Sequence, residues 1–307
     1  MTLTAEFLQS YLETVENLPH PSWRKLWDWS VTQVPADARH AFWSDVVRIW
    51  LELLKSRLGE KYQVTRSEGC FLLSGASVAD PYGLLRFIDS TFRAVQDMIP
   101  APPQTREKVG PRLVVVFGDD DEYYSYISRY FPDGRHISSA GVQIRQGYAH
   151  IVIKDTDRRL REHLAHELVH LHLLDFDTPR WLEEALAQYL PQFLLGNARF
   201  HIDGELVARH KAFWRKSTLE PFWRGTSFGW VKDGSELSYH LSEVLLRNLI
   251  SDYPKKVPAF VATCKRSDGG AAAARASFGR SLGAIAAGFL GGDPNQWEPH
   301  PQKSAEE

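Results

Sequence analysis

The stretch Leu160-Arg-Glu-His-Leu-Ala-His166-Glu167-Leu-Val-His170-Leu-His172-Leu-Leu174 decides how the rest of the chain is read. Its apolar residues fall at Leu160, Leu164, Leu168, Val169, Leu171 and Leu174, the stripe of an amphipathic helix. Asp155, Thr156 and Asp157 stand before it as capping residues, so the spacing predicts a helix over 157–174. Inside that helix lies His-Glu-x-x-His. Side chains four apart on a helix stand one above the other, so His166 and His170 can present two imidazoles to a single ion. Zinc is the natural occupant, because imidazole nitrogens suit it and it accepts a four-coordinate site with one open position. Glu167 sits beside the first imidazole. It is placed to take a proton from a polarised water and to hand it to a leaving amine. His163 reads as a pocket-edge or surface residue, and His172 points away from the pair.

Catalytic zinc usually takes three protein ligands. After a short loop, Asp175 to Thr178, a second helix opens, with Thr178 as expected N-cap and Pro179 at the first helical position; it runs to about Pro191. A short loop makes the two helices an antiparallel or steeply crossing pair. His170, one turn before the loop, and Glu183 or Glu184, one turn after it, are then facing positions. Periodicity does not choose between the glutamates. The stripe of Leu182, Ala185, Leu186, Tyr189, Leu190 and Phe193 lies nearer in angle to Glu183. Asp175 and Asp177 are close enough in sequence to hold the second N–H of a ligating imidazole.

Upstream, 62–66 and 70–73 read as a hairpin, 84–99 as an amphipathic helix stopped by Pro100, and 113–117 (Leu-Val-Val-Val-Phe) as a buried strand. Gly118-Asp-Asp-Asp-Glu122 reads as a turn whose acids cap and complement a helix over 123–130. Residues 141–153 alternate around Gly147 as a second hairpin. Residues 1–58 read as helices, with Phe7, Leu8, Tyr11, Leu12 and Val15 at helical spacing. Half of the ten tryptophans lie there, a composition that most often marks a packed core. Downstream come helices over 207–216, 235–250, 258–264 and 271–289, an aromatic loop (Phe222, Trp223, Phe228, Trp230), and a polar end. The expected class is α+β: a small mixed or antiparallel sheet, then the motif helix, then a mainly helical C-terminal part. The expected division is a Trp-rich helical segment over 1–58, a domain over 59–292 and a disordered tail over 293–307.

The chain has 307 residues, of which 43% are hydrophobic and 24% charged, so disorder is excluded as its main state. Lys+Arg 36 against Asp+Glu 38 leaves a formal charge of -2. That balance argues against nucleic acid and against an anionic membrane surface as partners. Cys70 and Cys264 are far apart and read as two reduced, buried thiols. The first residues carry no signal-peptide pattern, and the longest weakly polar run, 281–292, is too short to span a bilayer. The expectation is a soluble protein of a reducing cytoplasm.

Taken together, His166-Glu-Leu-Val-His170 and Pro179-Arg-Trp-Leu-Glu-Glu184-Ala-Leu-Ala187-Gln-Tyr189 resemble the gluzincin metallopeptidases, the peptidase MA-like superfamily that includes thermolysin and the zinc aminopeptidases. The second element is similar to that group's Trp-Leu-Asn-Glu-Gly-Leu-Ala-Glu-Tyr pattern. Glu183 stands where Asn is common there, Ala185 where Gly is common, and Gln188 where an acid is common. The resemblance implies that Glu184 is the third ligand, so that Zn2+ is held by His166, His170 and Glu184. It implies Glu167 as general base and acid in the hydrolysis of a peptide or protein substrate. By position it implies Tyr239 as the donor to the transition-state oxyanion, with His240 as its rival. It also implies a hairpin edge strand, from 141–145 or 148–153, that pairs with extended substrate. No aminopeptidase-type element for binding an amino terminus is recognisable. The same residues would also serve a gluzincin-shaped zinc-binding scaffold without protease activity, or a zinc hydrolase of a non-peptide amide or ester.

Overall fold

A computed structural model describes residues 3–101, 109–134, 140–155, 159–197 and 200–300. The α+β class is what the chain adopts, and its sheet is mixed. The chain forms two compact units, one from Met1–Arg93 and Arg106–Leu171, the other from Ala94–Thr105 and His172–Glu307.

The first unit carries, in chain order, α1 (Ala5–Gln9), β1 (Leu12–Val15), β2 (Leu18–Pro21), α2 (Trp23–Gln33), α3 (Arg39–Leu58), β3 (Gln63–Arg66), β4 (Cys70–Ser74), most of α4 (Pro81–Met98), β5 (Arg112–Phe117), α5 (Asp120–Ser128), β6 (Gly141–Ile144), β7 (His150–Lys154) and α6 (Leu160–His172). Its five-stranded sheet runs β3-β4-β5-β7-β6. The hairpins β3–β4 and β6–β7 are antiparallel, as their short connections require. The centre, β4-β5-β7, is parallel. Of the two forms expected, mixed or antiparallel, the sheet is therefore the mixed one. The long connections through α4 and α5 return the chain to the same end of the sheet, which is the condition for parallel pairing. Leu113, Val114, Val115, Val116 and Phe117 are all fully buried, the uninterrupted apolar run of a strand covered on both faces.

The N-terminal region is not all helix. The periodicity from Phe7 to Val15 is split between α1 and β1, and β1 pairs with β2 across a two-residue turn. Glu16 and Asn17 in that turn both have positive φ, 49° and 64°, the geometry of a type I′ hairpin, for which Asn is a preferred residue. Trp23, Trp43 and Trp50 are buried in one cluster with Leu73, Val115, Phe117 and Val152 of the sheet. Trp50 donates its indole N–H to the Pro19 carbonyl at 2.8 Å, tying α3 to β2. Residues on both sides of position 58 therefore share a single core.

The second unit is helical among its described residues: α7 (Arg180–Leu195), α8 (Gly204–Phe213), α9 (Lys216–Trp223), α10 (Asp233–Asp252), α11 (Val257–Thr263), α12 (Ala271–Phe278), α13 (Leu282–Leu290) and α14 (Pro294–Trp297). Three details depart from the sequence reading. Phe222 and Trp223, expected in a loop, end α9 despite Pro221 within it. The expected single helix over 271–289 is two, because Gly279 turns left-handed (φ +67°) and the Ser281 side chain caps α13 by accepting from the Ala284 N–H. Residues 293–300, expected in a disordered tail, carry α14. Trp297 there is buried, and its carbonyl accepts the Trp223 indole N–H at 2.8 Å. The remainder of that expected tail, 301–307, lies outside the described residues.

Cys70 and Cys264 are both buried and unpaired. Burial pushes the Cys70 thiol up to about 12 and raises that of Cys264 as well, so neither is a thiolate at neutral pH. Among the described residues, no helix is long and apolar enough to cross a membrane.

Candidate metal centre

α6 forms where the apolar stripe predicts it and ends in a single 3-10 turn, Leu173–Asp175. The four-residue spacing then stacks the two imidazoles. Their ring centres are 4.8 Å apart, and His166 Nε2 lies 3.1 Å from His170 Nε2. Two nitrogens bound at about 2.0–2.1 Å to one tetrahedral ion stand roughly 3.3 Å apart. The observed separation is close to that value. One ligand atom each from His166, His170 and Glu184 lie within 4.8 Å of one another. Two imidazole nitrogens and one carboxylate oxygen are a donor set that suits zinc and leaves a fourth position open.

α7 opens one residue later than expected. Pro179 itself is the N-cap (φ −60°, ψ 144°), so it stands just outside the helix and not at its first position. Thr178, the expected cap, is buried. Its carbonyl accepts from the Arg266 guanidinium at 3.2 and 3.3 Å, and its hydroxyl has no hydrogen-bond partner among the described residues. Trp181 is fully buried against Phe222, Trp223 and Phe260, and its indole N–H donates to the Gly269 carbonyl at 2.9 Å. This anchor fixes the rotation of α7, and with it the directions of Glu183 and Glu184.

The two glutamates have different fates. Glu184 joins the two histidines. Glu183 is 5% exposed and faces the Arg266 guanidinium at 3.7 Å. The apolar stripe does not separate them because Trp181 through Ala187 are all buried. A helix end covered on every side has no polar face from which to measure an angle. Glu184 is itself 8% exposed, and the Arg180 Nε lies 3.5 Å from its Oε1.

Glu167 follows His166 on α6 and is 9% exposed, a carboxyl set among buried residues. Tyr239 lies on α10, the helix most extensively packed against α7. Gln188, one turn beyond Glu184, donates to the Tyr239 carbonyl at 3.1 Å and to the Glu184 carbonyl at 3.4 Å. The Tyr239 ring stands edge-on to Phe228 at 5.1 Å. One amide side chain thus links the turn of α7 that bears Glu184 to the turn that bears Tyr239.

His240, its rival, is committed elsewhere. An indole only donates, so Trp214 Nε1–H fills His210 Nδ1 at 2.9 Å. His210 Nε2–H then donates to His240 Nδ1 at 2.8 Å, and His240 Nε2–H faces the His201 carbonyl at 3.3 Å. Burial, with the neighbouring His240 and Arg209, lowers His210 to about 3, and burial lowers His240 as well. Both rings are neutral at physiological pH, and each nitrogen of His240 has a partner.

The other candidates resolve from their surroundings. His172 is buried, with Nε2 2.6 Å from the Ile99 carbonyl, a core residue. His163 is half-buried, and Asp175 and Asp177 are exposed. Asp119 caps α5 by accepting from the Glu122 N–H at 3.1 Å, so the acidic run is a helix start as expected. Of the two segments expected to offer a free strand edge, β7 lies between β5 and β6 and is paired on both sides, which removes 148–153. β6 is the outer strand. The residues missed in the sequence are Arg180, Gln188 and Phe228. Their partners lie on other turns or other helices, and no local pattern announces them. No protein-family model matches the chain, and no curated protein matches it.

Proposed function

We propose that the chain is a zinc-dependent hydrolase of peptide bonds, of the gluzincin type that its two motifs resemble. The observation that carries the reading is the convergence of His166, His170 and Glu184, from consecutive helices, on ligand atoms within 4.8 Å of one another. The donor set fits zinc, and Glu167 supports catalysis over a purely structural role, since a structural zinc site needs no general base. Bound at these residues, zinc supplies Lewis acidity and a solvent nucleophile available near neutral pH. The protein's own part is proton handling and orientation. The Glu167 carboxylate accepts the proton released when water attacks the scissile carbonyl and returns it to the departing amine nitrogen. Tyr239 is the proposed donor to the developing oxyanion, held in register with Glu184 through Gln188. β6 is the proposed edge for an extended substrate.

The test is direct. The purified protein is assayed for bound zinc and for cleavage of a mixed peptide library with and without chelator. The reading expects one zinc per chain and chelator-sensitive cleavage. Glu167→Gln should retain zinc and lose hydrolysis by at least about 100-fold. Full activity in that variant refutes the base assignment. Stoichiometric zinc without cleavage of any peptide or ester makes the chain a zinc-binding scaffold.

A further inference from the structure

Arg180 opens α7 one turn before Glu184. Its Nε faces Glu184 Oε1 at 3.5 Å, and its guanidinium carbon lies 5.4 Å from the centre of the Phe228 ring. The stem is held as well. Gly225 adopts φ +77°, and a Cβ at that position would come within 2.6 Å of Arg180 Cβ. The loop therefore needs both the left-handed backbone and the missing side chain to lie against Arg180. An acid–base pair four apart on an exposed helix face contributes only a few tenths of a kcal/mol and holds neither partner still. This pair differs in its acid, which is buried and belongs to the ligand cluster, and its base, although its side chain is 46% exposed, is bordered by an aromatic ring and a glycine turn.

We propose that Arg180 is a positioning residue for the metal ligand Glu184. Resting on the zinc reading above, the proposal is that Arg180 Nε–H occupies one side of Oε1, so that the carboxylate meets the ion in one fixed orientation. Carboxylates that ligate metals are commonly oriented by a hydrogen-bonded neighbour, and loss of such a neighbour costs roughly 10–100-fold in metal affinity. Arginine differs from lysine here, because its guanidinium lies over the Phe228 ring while Nε–H is carried close to the stem, whereas an ammonium has its donors only at the tip of its chain and no planar fork.

The experiment compares wild type with Arg180→Met, which keeps an aliphatic stem against Gly225 and Phe228, and with Arg180→Lys, which keeps the stem and the charge but loses the planar guanidinium. Zinc affinity is read by competition with a chromophoric chelator. Ligand geometry is read from the visible absorption of the cobalt-loaded proteins, and fold integrity from melting of the chelated proteins. The expectation is zinc affinity lowered roughly 10–100-fold in Arg180→Met, partial recovery in Arg180→Lys, and an altered cobalt spectrum in both. Wild-type affinity in Arg180→Met overturns the proposal, as does tighter binding, which would make Arg180 a competitor for the carboxylate. If Arg180→Met does not fold, wild-type affinity and an unchanged cobalt spectrum in Arg180→Lys overturn it. A wild type that binds no zinc refutes the metal reading itself, whatever the variants do.

Discussion

Acid should unfold this protein through two buried histidines that take no part in the candidate metal centre. His20 on β2 is 1% exposed, and neither of its ring nitrogens has a hydrogen-bond partner among the described residues. It lies against the rings of Tyr126 and Tyr130 at 5.1 and 5.7 Å. His150 on β7 is fully buried; its Nδ1–H donates to the Tyr148 carbonyl and its Nε2 accepts from the Tyr126 hydroxyl, both at 2.7 Å. That pattern uses up the neutral ring and leaves no place for a second proton. Burial lowers both groups to about 4; at His20 Arg129 adds to the effect and Glu13 opposes it. Below pH 6.5 the unfolded chain binds protons that the folded chain refuses, so stability falls with pH across the window from about 6.5 down to 4. At pH 5, a folded value of 4 against an unfolded value of 6.5 costs about 2 kcal/mol per histidine. The pair together costs about 4 kcal/mol, a large share of the 5–15 kcal/mol that holds a typical domain. The assay is urea unfolding followed by tryptophan fluorescence at pH 8 and pH 5. His20→Phe keeps an aromatic ring against Tyr126 and Tyr130 but cannot charge. It should lose about 2 kcal/mol less than wild type over that interval. Titrating groups remote from His20 are common to the two proteins and cancel in the difference, whereas His150, which His20 also helps to lower, shifts slightly upward in the variant and reinforces the effect. An identical pH dependence in both refutes the reasoning.

Two further outcomes follow from the same structure. Trp181→Ala removes the anchor of α7, leaves the Gly269 carbonyl without its indole partner, and should cost about 3–5 kcal/mol in chemical denaturation; it should also weaken zinc, because the rotation of Glu184 depends on it. Glu184→Ala should abolish stoichiometric zinc binding in equilibrium dialysis, whereas Glu183→Ala should retain it and show its effect in thermal melting alone, by removing the carboxylate that faces Arg266. The reverse result would make Glu183 the third ligand and refute the assignment to Glu184.

What was legible in the sequence is what rests on neighbours along the chain. Helix period, strand alternation and capping residues act over a few positions, so α6, the β3–β4 and β6–β7 hairpins and the capped start of α5 could all be read from it. Placing His166, Glu167 and His170 on one helix needs nothing beyond its 3.6-residue period. The hairpin at Glu16-Asn17 was obscured because apolar spacing over nine residues fits a helix as well as a short helix followed by a strand, and only the positive φ pair separates them. Tertiary structure decided the rest. The choice of Glu184 over Glu183 depends on how Trp181 seats α7 against Gly269, 88 residues away. The parallel centre of the sheet depends on pairings between strands that are distant in sequence. Gln188 matters through Tyr239, 51 residues on. Arg180 matters through a glycine turn and a phenylalanine that its own helix does not contain. Local propensity carries no information about such partners, because they are selected by packing and hydrogen bonding that exist only once distant segments meet.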